Sequence, residues 1–134
     1  MNLLVDTSVW SLALRRDAPS EGPAVSFLRR ALEGAATVLT TGIVLQELLQ
    51  GVKGPKAHQL IVVRFSTLPF VIPDRQDHID AAALHTRCRR RGIQVGTIDV
   101  LLAQLCLRHR LTMLTADRDC SRIGDVTELA IWKP

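Results

Sequence analysis

Short apolar stretches recur along the chain at Leu3 to Val5, Thr37 to Leu39, Phe70 to Ile72, Leu111 to Leu114 and Leu129 to Trp132. Each is bounded by polar or turn residues and is too short for a stable helix, so each reads as a buried strand. Between them lie segments with apolar residues at helical spacing: Ser8 to Arg15, Ala24 to Glu33, Ile43 to Val52, Lys56 to Phe65, Gln76 to Arg91 and Val100 to His109. A short helical turn is expected near Arg118 to Ile123. Strands that alternate with helices require crossover connections, which predict an α/β fold: a central, mostly parallel sheet flanked by helices on both faces. Gly34, Pro69 and Gly92 fall at segment ends, where such residues stop an element.

At 134 residues the chain reads as one domain, 1–134, with enough length to bury a real core. No apolar run approaches the roughly 18 residues of a membrane span. The first residues show no basic segment followed by a long apolar core, so no signal peptide is expected and the chain reads as cytoplasmic. Cys88, Cys106 and Cys120 form an odd set without C-x-x-C spacing, which predicts reduced, buried thiols rather than disulfides or a zinc ribbon. His58, His78, His85 and His109 also lack metal-ligand spacing and read as surface residues. No G-x-G-x-x-G or G-x-x-x-x-G-K-[ST] loop is present, which removes the usual evidence for a nucleotide-cradling fold. Trp10 and the three Phe residues are expected in the core, with Trp132 at a sheet edge or interface.

The acidic residues carry the chemistry. In NLLVDTS, Asp6 stands where a strand hands over to a helix. That position borders the ligand crevice of an open α/β sheet, although Asp is also a favoured helix cap. In TTGIVLQELLQG, Glu47 lies mid-helix among apolar residues with no cation on its own helix to pair with it. In GTIDVLLAQL, Asp99 falls in the first turn of a strongly apolar helix, with Thr97 or Asp99 as its cap. In LTADRDC, Asp117 and Asp119 directly follow a strand. Helix capping explains these acids one at a time. Their conjunction says more, because a parallel sheet gathers residues that follow its strands at one rim. Carboxylates crowded there repel unless a cation sits among them. Ligands that are all oxygen, with no His or Cys, select Mg2+ or Mn2+ over zinc. Such a site performs phosphoryl chemistry through a metal-activated water and needs no nucleophilic side chain.

Seventeen Lys and Arg against thirteen Asp and Glu give a net charge of +4, which favours a polyanionic partner. With an acidic metal site, the fitting substrate is a nucleic-acid phosphodiester. In HTRCRRRG, Arg87, Arg89, Arg90 and Arg91 crowd a helix end, where cations also complement the helix dipole. They are candidates for an RNA path that Arg15, Arg16, Arg29 and Arg30 extend. With 4% aromatic residues and no tyrosine, base stacking is scarce and recognition falls to phosphates and RNA shape.

Taken together, LLVDTSVW, LTTGIVLQELLQG, GTIDVLLAQLCLRHRLTMLTADRDC and the late Trp132 resemble the PIN-domain ribonucleases, and most closely the VapC-type toxins of prokaryotic toxin–antitoxin pairs. The resemblance covers nearly the whole chain. It implies a metal-dependent endoribonuclease in which Asp6, Glu47, Asp99 and Asp117 hold the metal and Asp119 supports or supplements the fourth acid as a further metal residue. Thr7, Ser8 and Thr97 match hydroxyls that orient carboxylates or metal-bound water. It further implies a homodimer, an RNA substrate, and inhibition by a cognate VapB-like antitoxin. One departure is that Cys120 stands where the family usually has Phe. The rival readings are a PIN-like module that only binds RNA or protein, and another magnesium-dependent α/β phosphohydrolase. A dehalogenase-like phosphatase wants a second Asp two residues after the first, where this chain has Ser8. A response-regulator receiver wants a paired acidic cluster early in the chain.

Overall fold

The computed structural model describes residues 1–15 and 22–134. Its centre is a parallel sheet of β1 (Asn2–Val5), β2 (Thr37–Leu39), β3 (Thr112–Leu114) and β4 (Ala130–Ile131), in the spatial order β2-β1-β3-β4. Around it pack α1 (Thr7–Ala13), α2 (Pro23–Arg30), α3 (Gly42–Gly51), α4 (Pro55–Phe65), α5 (Arg75–Arg90), α6 (Thr97–His109) and the short α7 (Arg118–Ser121). Leu3, Leu4 and Val5 are all 0% exposed. Because successive strand side chains point to opposite faces, that run means both faces of β1 are covered, as a parallel sheet requires.

The strand order sets the place of any ligand crevice. From β1 the chain crosses to β2 on one side, whereas from β3 it crosses to β4 on the other. The carboxyl ends of β1 and β3 therefore flank a topological switch point. Val5 pairs with Leu114, and the Asp6 N–H continues the ladder by donating to the Leu114 carbonyl at 3.0 Å. The residues that follow these two strands are thereby brought side by side.

Three expectations are corrected. Phe70 to Ile72 forms only a single bridge, Thr40 to Phe70, rather than a strand. Pro69 and Pro73 flank it and have no N–H to give, so the ladder cannot extend, and Ile72 is left 77% exposed. Phe70 is consequently 44% exposed, while Trp10 and Phe65 sit in the core with ring centroids 4.8 Å apart. The helix expected to reach Glu33 is regular only to Arg30, and continues as a π-helical turn, Ala31–Ala35, that Gly34 closes at φ 117°. Trp132 stacks on Phe27 with centroids 4.7 Å apart.

Helices α5 and α6 form an antiparallel pair, tied together at one end by an ion pair. At one end, Arg108 of α6 reaches two carboxylates at the start of α5, Asp74 at 2.6 Å and Asp77 at 3.2 Å. Asp74 and Asp77 also close a capping box, each accepting from the other's backbone N–H. At the other end, Gly92 takes φ 75° and α5 stops in a Schellman motif. There the Ile93 N–H donates to the Cys88 carbonyl and the Gly92 N–H to the Arg89 carbonyl. Among the described residues, no helix is long and apolar enough to cross a membrane.

Candidate metal centre

Asp6 is the N-cap of α1 and only 3% exposed. Its Oδ1 accepts from Ser8 Oγ at 2.5 Å and from the Val9 N–H at 3.3 Å, while its Oδ2 accepts from the Thr115 hydroxyl. Capping and pocket lining are thus carried by one side chain. Glu47, half-buried on α3, accepts from Thr7 Oγ1 at 2.7 Å. Asp99 is the third residue of α6, with its carboxyl near the Gly96 backbone amide. Gly96 is itself the N-cap, so neither Thr97 nor Asp99 caps that helix. Asp117 is the N-cap of α7, its Oδ1 accepting from the Cys120 N–H at 3.1 Å.

All four of these carboxylates line one pocket of about 340 Å³ at the carboxyl rim of the sheet. Burial raises the pKa of Asp6 despite the hydrogen bonds that oppose it. Asp99 is pushed up to about 6, first by burial and then by the charges of Asp6, Asp117 and Glu47. Among the described residues, no Lys, Arg or His lines this pocket, so none of their side chains there relieves the repulsion. The donor set is hard oxygen, and its unrelieved negative charge fits a divalent cation.

Cys120 lies behind Asp6 and Asp99, outside the pocket lining. Its Sγ and one carboxylate oxygen each of Asp6 and Asp99 fall within 4.8 Å of one another. The thiol is 0% exposed, contacts Met113 Sδ at 3.7 Å, and is kept protonated by burial and by the carboxylates beside it. A neutral thiol is a weak ligand, so the oxygens are the donors that count. Cys120 is thus a small packing element beside the two acids.

The remaining candidates are placed unevenly. Asp119 is exposed, does not line the pocket, and faces Arg122 at 3.9 Å. Thr97 lines the pocket, but no hydrogen bond among the described residues links it to a carboxylate. Arg87 donates to the Val126 carbonyl, Arg90 and Arg91 are exposed, and Arg30 lies over the Phe27 ring at 5.7 Å. Arg16 lies outside the described residues. Thr115 was missed by the sequence reading. Its hydroxyl serves Asp6 and accepts the Asp117 N–H at 3.0 Å, so one side chain links two of the acids. The Thr of T-x-D-x-D was its only signal.

A family model described as PIN domain matches residues 3–126. Ribonuclease VapC11 of Mycobacterium tuberculosis and a VapC ribonuclease of Mycobacterium bovis are each 30% identical over 129 residues, covering 95% of this chain and 95% of theirs. Among solved structures, VapBC2 of Rickettsia felis, bound to a promoter DNA fragment, superposes with a TM-score of 0.75 at 19% identity, covering 99% of this chain and 100% of that one. VapC20 of Mycobacterium tuberculosis, a sarcin-ricin loop cleaving toxin, gives a TM-score of 0.69 at 20% identity, with 91% of this chain and 95% of that one covered. The ordered acids, their convergence at a switch point and these matches along nearly the full chain lead to one statement: the chain belongs to the PIN-domain family, among the VapC ribonucleases.

Proposed function

We propose that this chain, residues 1–134 as one PIN domain, is a metal-dependent endoribonuclease and the toxin of a VapBC-type toxin–antitoxin pair. The observation that carries the reading is the convergence of Asp6, Glu47, Asp99 and Asp117 on one pocket whose lining holds no cationic side chain among the described residues. Relatives named as ribonucleases over 95% of the chain support it. Mg2+ or Mn2+ is the ion that such a donor set favours.

Asp6, Glu47, Asp99 and Asp117 would hold the ion. When bound, it supplies positive charge against a phosphate oxygen and lowers the pKa of a water for attack on the phosphodiester. The chain's own residues make the site rigid beforehand. Ser8, Val9 and Thr115 fix Asp6, Thr7 orients Glu47, and the backbone amide of Cys120 holds Asp117. Groups that are already in place do not have to reorganise as charge develops.

Partners follow from the same reading. The substrate is RNA, and a VapB-like antitoxin is the inhibitor, consistent with structural neighbours solved as VapBC complexes. The active form is a homodimer. The deciding experiment incubates the purified chain with a structured RNA and Mg2+ or Mn2+, beside the Asp6→Asn and Asp99→Asn variants. The wild type is expected to cleave, with loss of about 10²-fold or more in each variant and abolition by a chelator. Equal cleavage by wild type and variants would contradict the assignment.

A further inference from the structure

A second cavity, of about 510 Å³, opens between the last turn of α5 and the connection to α6, with His85 and Arg89 on one side and Gly92–Gly96 on the other. Its volume falls in the range of small-molecule sites. It adjoins the acid pocket, because Gly96 lines both. A Cβ placed on Gly96 would meet no atom within 4 Å, so nothing crowds the junction at that point.

The two cavities carry opposite charge. The first is walled by four carboxylates, whereas the second has an arginine and, among the described residues, no acid in its lining. Helix geometry selects Arg89 from the arginine run. His85 and Arg89 are four residues apart and share a face, while Arg87 lies on roughly the opposite side and is held by the Val126 carbonyl. Arg89 is exposed, and no carboxylate among the described residues pairs with it. A guanidinium in that state is suited to bidentate capture of a phosphate.

We propose that this cavity receives the nucleotide next to the scissile bond, with Arg89 and His85 holding its phosphate. This proposal rests on the nuclease reading above. A strand whose reacting phosphate sits at the acids must continue somewhere, and the adjoining cationic cavity is where its next charge is welcomed rather than repelled. Arg89 is thus a substrate-positioning residue rather than one that acts on the reacting atoms.

Binding is tested in an Asp99→Asn background, which keeps a fluorescein-labelled RNA hairpin intact, by anisotropy over a series of KCl concentrations. Arg89→Gln is expected to weaken binding about tenfold and to flatten the slope of log affinity against log salt by about 0.7 to 0.9, the loss of one phosphate contact. His85→Gln is expected to act in the same direction with smaller size. The charge-matched control is Arg64→Gln, at a separate cavity by Gly34 and Thr37 on the amino side of the sheet, and it should leave the slope unchanged. In the active chain, Arg89→Gln should raise KM with kcat held within about twofold, the mark of lost uniform binding. Arg89→Gln indistinguishable from Arg64→Gln, or a fall in kcat with KM and salt slope unchanged, overturns the proposal alone. A wild-type chain that cleaves no RNA overturns the nuclease reading and this proposal together.

Discussion

Thr7, the first residue of α1, donates its hydroxyl to Glu47 Oε1 at 2.7 Å across forty positions of chain. Asp6 is its immediate neighbour, so a single peptide link helps to fix the separation of two acids drawn from different elements. Removing the hydroxyl frees Glu47 without touching Asp6. Thr7→Val is expected to lower Mn2+ affinity and RNA cleavage by about 10-fold, within the range seen for groups that orient metal ligands. Thermal unfolding without metal should change little, because Thr7 is only part-buried. Calorimetric titration beside a melting curve separates the two effects.

Thr115 has a harder task than Thr7. It is bonded to a carboxylate that is only 3% exposed, and it also accepts the Asp117 N–H. Thr115→Val leaves a buried acceptor unsatisfied, at a cost of about 1–3 kcal/mol in urea unfolding. Its activity should fall further than that of Thr7→Val. A variant as stable and as active as wild type would show that Thr115 is a bystander.

Acid strengthens the metal-free fold over one window. Asp99 titrates at about 6 when folded against 3.8 in its ordinary state, so between those values the folded chain binds more protons than the unfolded one. Stability therefore falls as pH rises from about 4 to about 6. Asp6 is shifted in the same direction. Asp74 is shifted the opposite way, and the stability it lends is lost as pH falls below its ordinary 3.8, outside this window. Without metal, the melting temperature should be higher at pH 5 than at pH 7. Mn2+ should raise it more at pH 7, since the proton and the ion compete for the same oxygens. Asp99→Asn should flatten both responses.

Arg108 joins the far ends of α5 and α6. Its partner Asp77 is 1% exposed, so removing the guanidinium leaves a buried carboxylate with one cation fewer, whereas the contact to exposed Asp74 adds little. Arg108→Met should cost about 1–3 kcal/mol in chemical unfolding. Replacing both Arg108 and Asp77 by apolar residues should recover part of that loss. Metal affinity measured below the transition should stay near wild type, because the bridge lies at the end of the helix pair remote from Asp99.

Much of this site was legible in the sequence because each main acid sits at a marked junction. Asp6 follows an apolar run, Asp99 opens an apolar helix, Asp117 follows a strand, and Glu47 is the only charge on its helix. Strand register was not legible. Only the pairing of Val5 with Leu114 brings Thr115 beside Asp6, and those two residues are 109 positions apart. The strand expected at Phe70 to Ile72 failed on its prolines, a local signal that apolar content outweighed. The arginine run looks like one patch in the sequence, yet its own helical spacing already separates Arg87 from the face shared by His85 and Arg89. Which of those faces meets a cavity depends on how α5 docks against α6. That is a tertiary fact.

Mn2+ binding to the purified chain, followed by calorimetry at pH 7.5, tests the central claim most directly. Wild type should bind with an affinity that drops at least about tenfold in Asp6→Asn and in Asp99→Asn, both of which keep the size of the side chain and remove its charge. Binding of the ion with equal affinity by all three chains would mean that these carboxylates do not form a metal centre.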